Sequence, residues 1–175
     1  MKAVATYILS ALAASTISLS SLTHTQPMQT SRDTEAAQDC VVLLHGLSRT
    51  RFSMLPIEEA LASHKYSVSN INYDSREGLI EDISSLVVNH GISECEEKGA
   101  TRIHFVTHSL GGILVRQYFS NNTLDNLGRV VMLAPPNKGT EIIDVFGKVP
   151  GFIFFSGEPA AQLGTDKNSS IPANL

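Results

Sequence analysis

A serine that does covalent chemistry needs three things: exposure, a base to take its proton, and donors that stabilise the oxyanion formed when its oxygen adds to a carbonyl. Ser109 lies in Thr107-His108-Ser109-Leu110-Gly111-Gly112, directly after the apolar run Ile103-His104-Phe105-Val106. The pattern reads as a strand entering a sharp turn and then a helix, with the serine at the apex. Such a turn supplies the exposure, and Gly111 lets helix and strand pack closely around it. The chemistry implied is acyl transfer through a serine ester. Leu110 opens the helix, where backbone N–H groups are free and the dipole favours negative charge, so it is one expected oxyanion donor. The second is expected at Leu47 in His45-Gly46-Leu47, where Gly46 would let the backbone turn close to a substrate.

The base is missing from the place where this chemistry needs it. No histidine follows Ser109. His108 is adjacent, but adjacency in a tight turn does not give base geometry, and it reads as an elbow side chain. His104 falls within a strand, and His64 and His90 fall at helix ends; all three read as structural. Asp125, Asp144 and Asp166 follow the serine. Asp144 reads as part of a solvated helix face, and none of the three is assigned as an acid. No cofactor and no metal are expected, because the two cysteines, Cys40 and Cys95, are too far apart for a zinc motif.

The elements that must position these residues alternate. Val41-Val42-Leu43-Leu44 is a continuous apolar run of the kind that forms a strand buried on both faces. Residues 56–63 read as a helix with Pro56 near its start. Residues 66–73 read as a second strand and 79–97 as a helix interrupted at Gly91. Residues 103–106 form a third strand, 111–119 a helix, and 130–133 a fourth strand. Strands alternating with helices predict an α/β fold, a mostly parallel sheet with helices on both faces. Ligands bind such sheets at the carboxyl ends of the strands. His45-Gly46, Ser109 and Ala134-Pro135-Pro136-Asn137 all follow strands and should meet at that edge. Residues 140–148 suggest a further helix, 149–155 form an apolar, turn-rich stretch, and 164–175 read as loop.

The 175 residues suit one domain, and 42% hydrophobic composition suffices for a core. A net charge of −4 with no basic run argues against a nucleic-acid partner. Lys2 followed by the apolar Ala3–Leu22 is the pattern of a signal peptide, placed at 1–25, with residues 26–38 as linker and 39–175 as the domain. The cleavage site is open between Ala11-Leu12-Ala13 and positions near Ser20 to Thr25. Its most apolar part, Ala3 to Ala14, is short for a membrane span, so a secreted or periplasmic location is expected, with a membrane anchor as the other reading. In that setting a Cys40–Cys95 bridge and a pair of buried free thiols both stand as readings.

Leu44-His45-Gly46-Leu47, Thr107-His108-Ser109-Leu110-Gly111-Gly112-Ile113-Leu114-Val115-Arg116 and Ala134-Pro135-Pro136-Asn137-Lys138-Gly139-Thr140 together resemble the bacterial lipase and esterase branch of the α/β-hydrolase superfamily. The resemblance covers roughly residues 39 to 145. It implies Ser109 as acyl-enzyme nucleophile, Leu47 and Leu110 as oxyanion donors, and His45, Gly46, Gly111 and Gly112 as supporting residues. The implied substrates are carboxylic esters, lipid esters included, with membrane contact arising through such a substrate. Thr107 departs from the glycine usual two residues before the nucleophile. The family continues into two more strands whose loops carry the acid and the base. This chain reads as lacking those last strands, hence as the front portion of an exported hydrolase with impaired or no activity. A non-catalytic binding protein on the same scaffold, and an acyltransferase or thioesterase of the same fold, are the alternative readings.

Overall fold

A run of four apolar residues is stable as a strand only where both of its faces are covered. In the computed structural model, which describes residues 38–146, 156–165 and 171–175, Val41 to Leu44 lie in β1 (Asp39–Leu44) and are at most 2% exposed. The other strands are β2 (Ser67–Ile71), β3 (Arg102–His108) and β4 (Leu127–Leu133). All pair in parallel, in the order β2-β1-β3-β4. The helices are α1 (Leu55–Ser63), entered through a 3-10 turn at Arg51–Met54, α2 (Ile80–Glu97), α3 (Leu110–Phe119) and α4 (Glu141–Phe146). Two short ones follow, α5 (Glu158–Ala161) and α6 (Ile171–Asn174). The expected signal peptide, the apolar stretch 149–155 and Asp166 lie outside the described residues, as does the expected linker apart from its last residue, Gln38.

Alternation along β1 builds two cores. Cys40, Val42 and Leu44 join the buried residues of α2 and α3 on one face. Val41 and Leu43 meet Met54, with Ile57 and Leu61 of α1, on the other. The sheet is therefore covered by helices on both faces, as the alternating pattern required. Gly91 does not interrupt α2, which runs through it unbroken. A methyl group at that position would drive into the side chain of Val42, so helix and central strand pack closely at the glycine.

Cys40 and Cys95 are disulfide-bonded, with a Cα–Cα distance of 5.7 Å across 55 residues of sequence. Both are fully buried. The topology explains the pairing: α2 returns antiparallel to β1, so its last turn comes back to the strand's first residues. β2 is shorter than its alternation predicts, ending at Ile71, because Tyr73 leaves the strand to stack on His45. Two other expectations are corrected. His90 lies inside α2 and not at its end, paired with Glu94 at 3.1 Å. Residues 171–174, expected as loop, form α6. β4 takes one outer position in the order and exposes Leu127, Val131 and Leu133 by 37–47%.

Two stability measurements check this packing. Gly91→Ala should lower the unfolding free energy by about 1–3 kcal/mol, read from the urea midpoint, because an extra methyl enters a filled interface. Mass spectrometry of the non-reduced chain should find no free thiol, and reduction should lower stability by about 2–4 kcal/mol through the loop that the bridge closes.

Candidate active site

Strand register decides what meets at the carboxyl edge. Leu44 is opposite Thr107, and His108 is opposite Leu133. The residues that follow each strand, His45-Gly46, Ser109 and Ala134, therefore emerge side by side. Ser109 sits between β3 and α3 with φ 52° and ψ −116°. A non-glycine residue there is strained, at roughly 1–3 kcal/mol. Its backbone is held from both sides, since its N–H donates to the Leu133 carbonyl at 2.8 Å and its carbonyl accepts from Gly112 N at 3.0 Å. The strain turns the chain so abruptly that strand and helix both end at the same half-buried serine.

Two glycines make the turn fit. A Cβ on Gly111 would stand 2.6 Å from the Leu44 carbonyl oxygen and 2.9 Å from that of His45. A Cβ on Gly46 would stand 2.9 Å from His108 Nδ1 and 3.2 Å from Ser109 Cβ. The loop after β1 thus lies directly against the elbow at Gly46, the residue before Leu47. Thr107 is fully buried, and its hydroxyl has no hydrogen-bond partner among the described residues. It is accommodated because Gly112 leaves room; a Cβ there would come within 3.3 Å of Thr107 Oγ1.

The loop after β1 is itself clamped. His45 is completely buried and stacks on Tyr73, with ring centroids 4.1 Å apart. Its Nδ1 lies 2.9 Å from the Gly46 carbonyl oxygen, to which it can only donate. Nε2 is then a bare acceptor, and it has no partner among the described residues. Tyr73 donates its hydroxyl to the His45 carbonyl at 2.6 Å. Arg49 N donates to the Gly46 carbonyl at 3.2 Å, and Ser48 N to Ser75 Oγ at 2.8 Å. Burial holds the His45 pKa below its ordinary value and pushes that of the Tyr73 phenol up. Both rings are neutral near pH 7. Tyr73 and Ser75 were not legible as site residues, since each acts on a loop about 28 positions away.

On the third side, Ala134 takes a positive φ of 47°, and Pro135 packs towards Gly112. Arg116 of α3 donates to Asn137 Oδ1 at 2.9 Å, tying the loop after β4 to the elbow helix. Asp144 is not on a merely solvated face: both of its oxygens accept bonds from Thr165, one from the backbone at 3.0 Å and one from the hydroxyl. Asp125 precedes β4 and so lies at the opposite end of the sheet from Ser109. His104 lies 3.3 Å from Asp39 and accepts from Arg129 N. His64 follows the last residue of α1 and bonds the Ala60 carbonyl. The structure thus brings together Ser109, Leu110, Gly46 and Gly111, and gives His64, His90 and His104 partners away from Ser109. Among the described residues no three His, Cys, Asp or Glu side chains form a metal-binding group.

No protein-family model matches the chain, and no curated protein matches it. Solved structures do. A lipase from Bacillus licheniformis in its mature form is 18% identical with a TM-score of 0.63, covering 75% of this chain and 56% of that one. A phospholipase from Legionella pneumophila is 20% identical with a TM-score of 0.58, covering 78% and 33%. An extracellular α/β-hydrolase from a Paenibacillus species is 19% identical with a TM-score of 0.51, covering 63% and 50%. The chain is similar to part of the α/β-hydrolase fold, and it spans about half or less of the length of these three structures.

Protonating His45 would place a charge in a buried stack, which gives a pH prediction. Its folded pKa lies below 6.5, so the unfolded chain binds the proton more readily. The stability His45 contributes is present above pH 6.5 and is lost as pH falls through the folded value. The thermal midpoint of the wild type should therefore drop more steeply than that of His45→Asn between about pH 6.5 and 5.

Proposed function

We propose that this chain carries the nucleophile and oxyanion side of a serine hydrolase acting on carboxylic esters, lipid esters among them. The observation that carries this reading is Ser109 held at φ 52° between β3 and α3 with Gly46 packed against it. In the proposed reaction Ser109 Oγ adds to the ester carbonyl, and the Leu47 and Leu110 amides donate to the oxygen as it becomes negative. The N-terminus of α3 favours that charge, because its first amides have no intrahelical acceptors. Collapse of the adduct expels the alcohol and leaves an acyl-enzyme, which water then hydrolyses. Both steps need a base to take and return a proton. No histidine follows Ser109, and hydrolysis by the 175-residue chain is accordingly far below that of a complete triad. The similarity to lipase and phospholipase structures supports ester substrates. Export is supported by the buried disulfide, the basic-then-apolar N-terminus and the likeness to an extracellular hydrolase.

The test is p-nitrophenyl butyrate turnover by the full chain, with and without added imidazole as an external base. Unaided turnover should stay within about 10³–10⁴ of the reaction in water, the residue left by oxyanion stabilisation and binding alone. After subtraction of the imidazole reaction measured without protein, imidazole should raise the wild-type rate and leave Ser109→Ala unchanged. Fast turnover without imidazole that Ser109→Ala abolishes would show that the chain holds its own base. Identical imidazole responses in the two proteins would remove Ser109 from the nucleophile's role.

A further inference from the structure

The loop after β1 has a second side. Beyond Gly46 the chain makes a turn, closed by the Arg49 N–H to Gly46 carbonyl bond, and faces the segment that follows β2. Residues 48–50 and 72–76 line a cleft of about 430 Å³ between them. One hydrogen bond ties its two walls: Ser75 is 2% exposed, and its hydroxyl accepts from Ser48 N. Tyr73, part of the lining, is the same residue that clamps the His45 carbonyl. The cleft and the loop beside Ser109 therefore share one framework.

Its charge is unbalanced. The lining holds Arg49, Arg76 and Asp74. Asp74 is engaged by Arg76, whose Nε lies 3.7 Å from Oδ1 and whose backbone N–H donates to the same oxygen at 2.9 Å. Arg51, just outside, pairs with Glu58 at 3.9 Å. Arg49 has no carboxylate within ion-pair distance among the described residues. An arginine left uncompensated at the lip of a polar cleft offers a fork of N–H donors that matches phosphate or carboxylate oxygens in pairs.

We propose that this cleft is an anion subsite, centred on Arg49, that receives a phosphate or carboxylate carried by the ester. The proposal rests on the ester-hydrolase reading of Ser109 and names the substrate class: esters with an anionic group on the side of the molecule that runs along residues 46–49. Asp74 tempers the site and disfavours cations less than a bare arginine pair would, so discrimination falls on Arg49. Because Arg49 is exposed, the preference weakens as salt screens it.

The experiment is calorimetric titration of the full chain with two short lipids that share their acyl groups, dihexanoyl phosphatidic acid and dihexanoylglycerol, both kept below micelle formation. Each is run on the wild type, Arg49→Gln and Ser109→Ala. At low salt the phosphate-bearing lipid should bind the wild type and Ser109→Ala about ten-fold more tightly than the neutral one, and Arg49→Gln should lose that margin. Inorganic phosphate, titrated separately, distinguishes a lipid headgroup from a free anion: Arg49-dependent binding of either supports the subsite. Equal affinities for the two lipids, or a margin that survives Arg49→Gln, overturns it. If both lipids bind equally, the subsite falls and the ester site stands. If phosphate binds through Arg49 while neither lipid binds, the subsite stands and the ester reading falls.

Discussion

The contact on which the rest depends is the approach of the Leu44 and His45 carbonyls to Gly111 at the start of α3. Those oxygens lie where any side chain at position 111 would begin. With the helix that close, α3 can start at the residue after Ser109 and still pack its buried face on the central strands. Any larger residue would push α3 away from β1. The loop after β1 would then no longer touch the serine, because Gly46 meets Ser109 across the same narrow gap.

That arrangement forces Ser109 into a strained backbone conformation, and the magnitudes show why it persists. The strain costs about 1–3 kcal/mol. Leu110, Ile113 and Leu114 of the helix it launches are completely buried, and each contributes about 1.5–3 kcal/mol. The packing of α3 outweighs the distortion at its first turn, so the elbow follows from the docking of the helix. Beneath it, β1 supplies a rigid floor: it is covered on both faces, bridged to α2 through Cys40, and pressed by that helix at Gly91.

The clamp on the loop after β1 is a different kind of interaction. It consists of the His45–Tyr73 stack, one phenolic hydrogen bond and one serine hydroxyl, all reaching across from the segment after β2. Burial holds the His45 pKa down and pushes that of the Tyr73 phenol up, which keeps both stacked rings uncharged. This segment serves two surfaces at once. One side sets the backbone beside Ser109, and the other lines the polar cleft with Arg49 at its lip. A loop held from outside in this way can present amides without bending towards solvent.

Much of this was legible in the residues. The apolar run Val41–Leu44 announced a strand covered on both faces, because such a run has no polar side to give to water. Ser109 between an apolar strand and a glycine-rich helix start announced the elbow, because the steric demands of that turn are local. What the sequence by itself determined was therefore the order of elements, the parallel sheet, and the serine with its flanking glycines. Tertiary structure decided the rest. It paired Cys40 with Cys95, turned Gly91 from an apparent break into a contact, drew Tyr73 out of its strand onto His45, and bound Asp144 to Thr165. Each of these joins residues about 20 to 55 positions apart, where periodicity carries no information and only the packed geometry of sheet and helices fixes who meets whom.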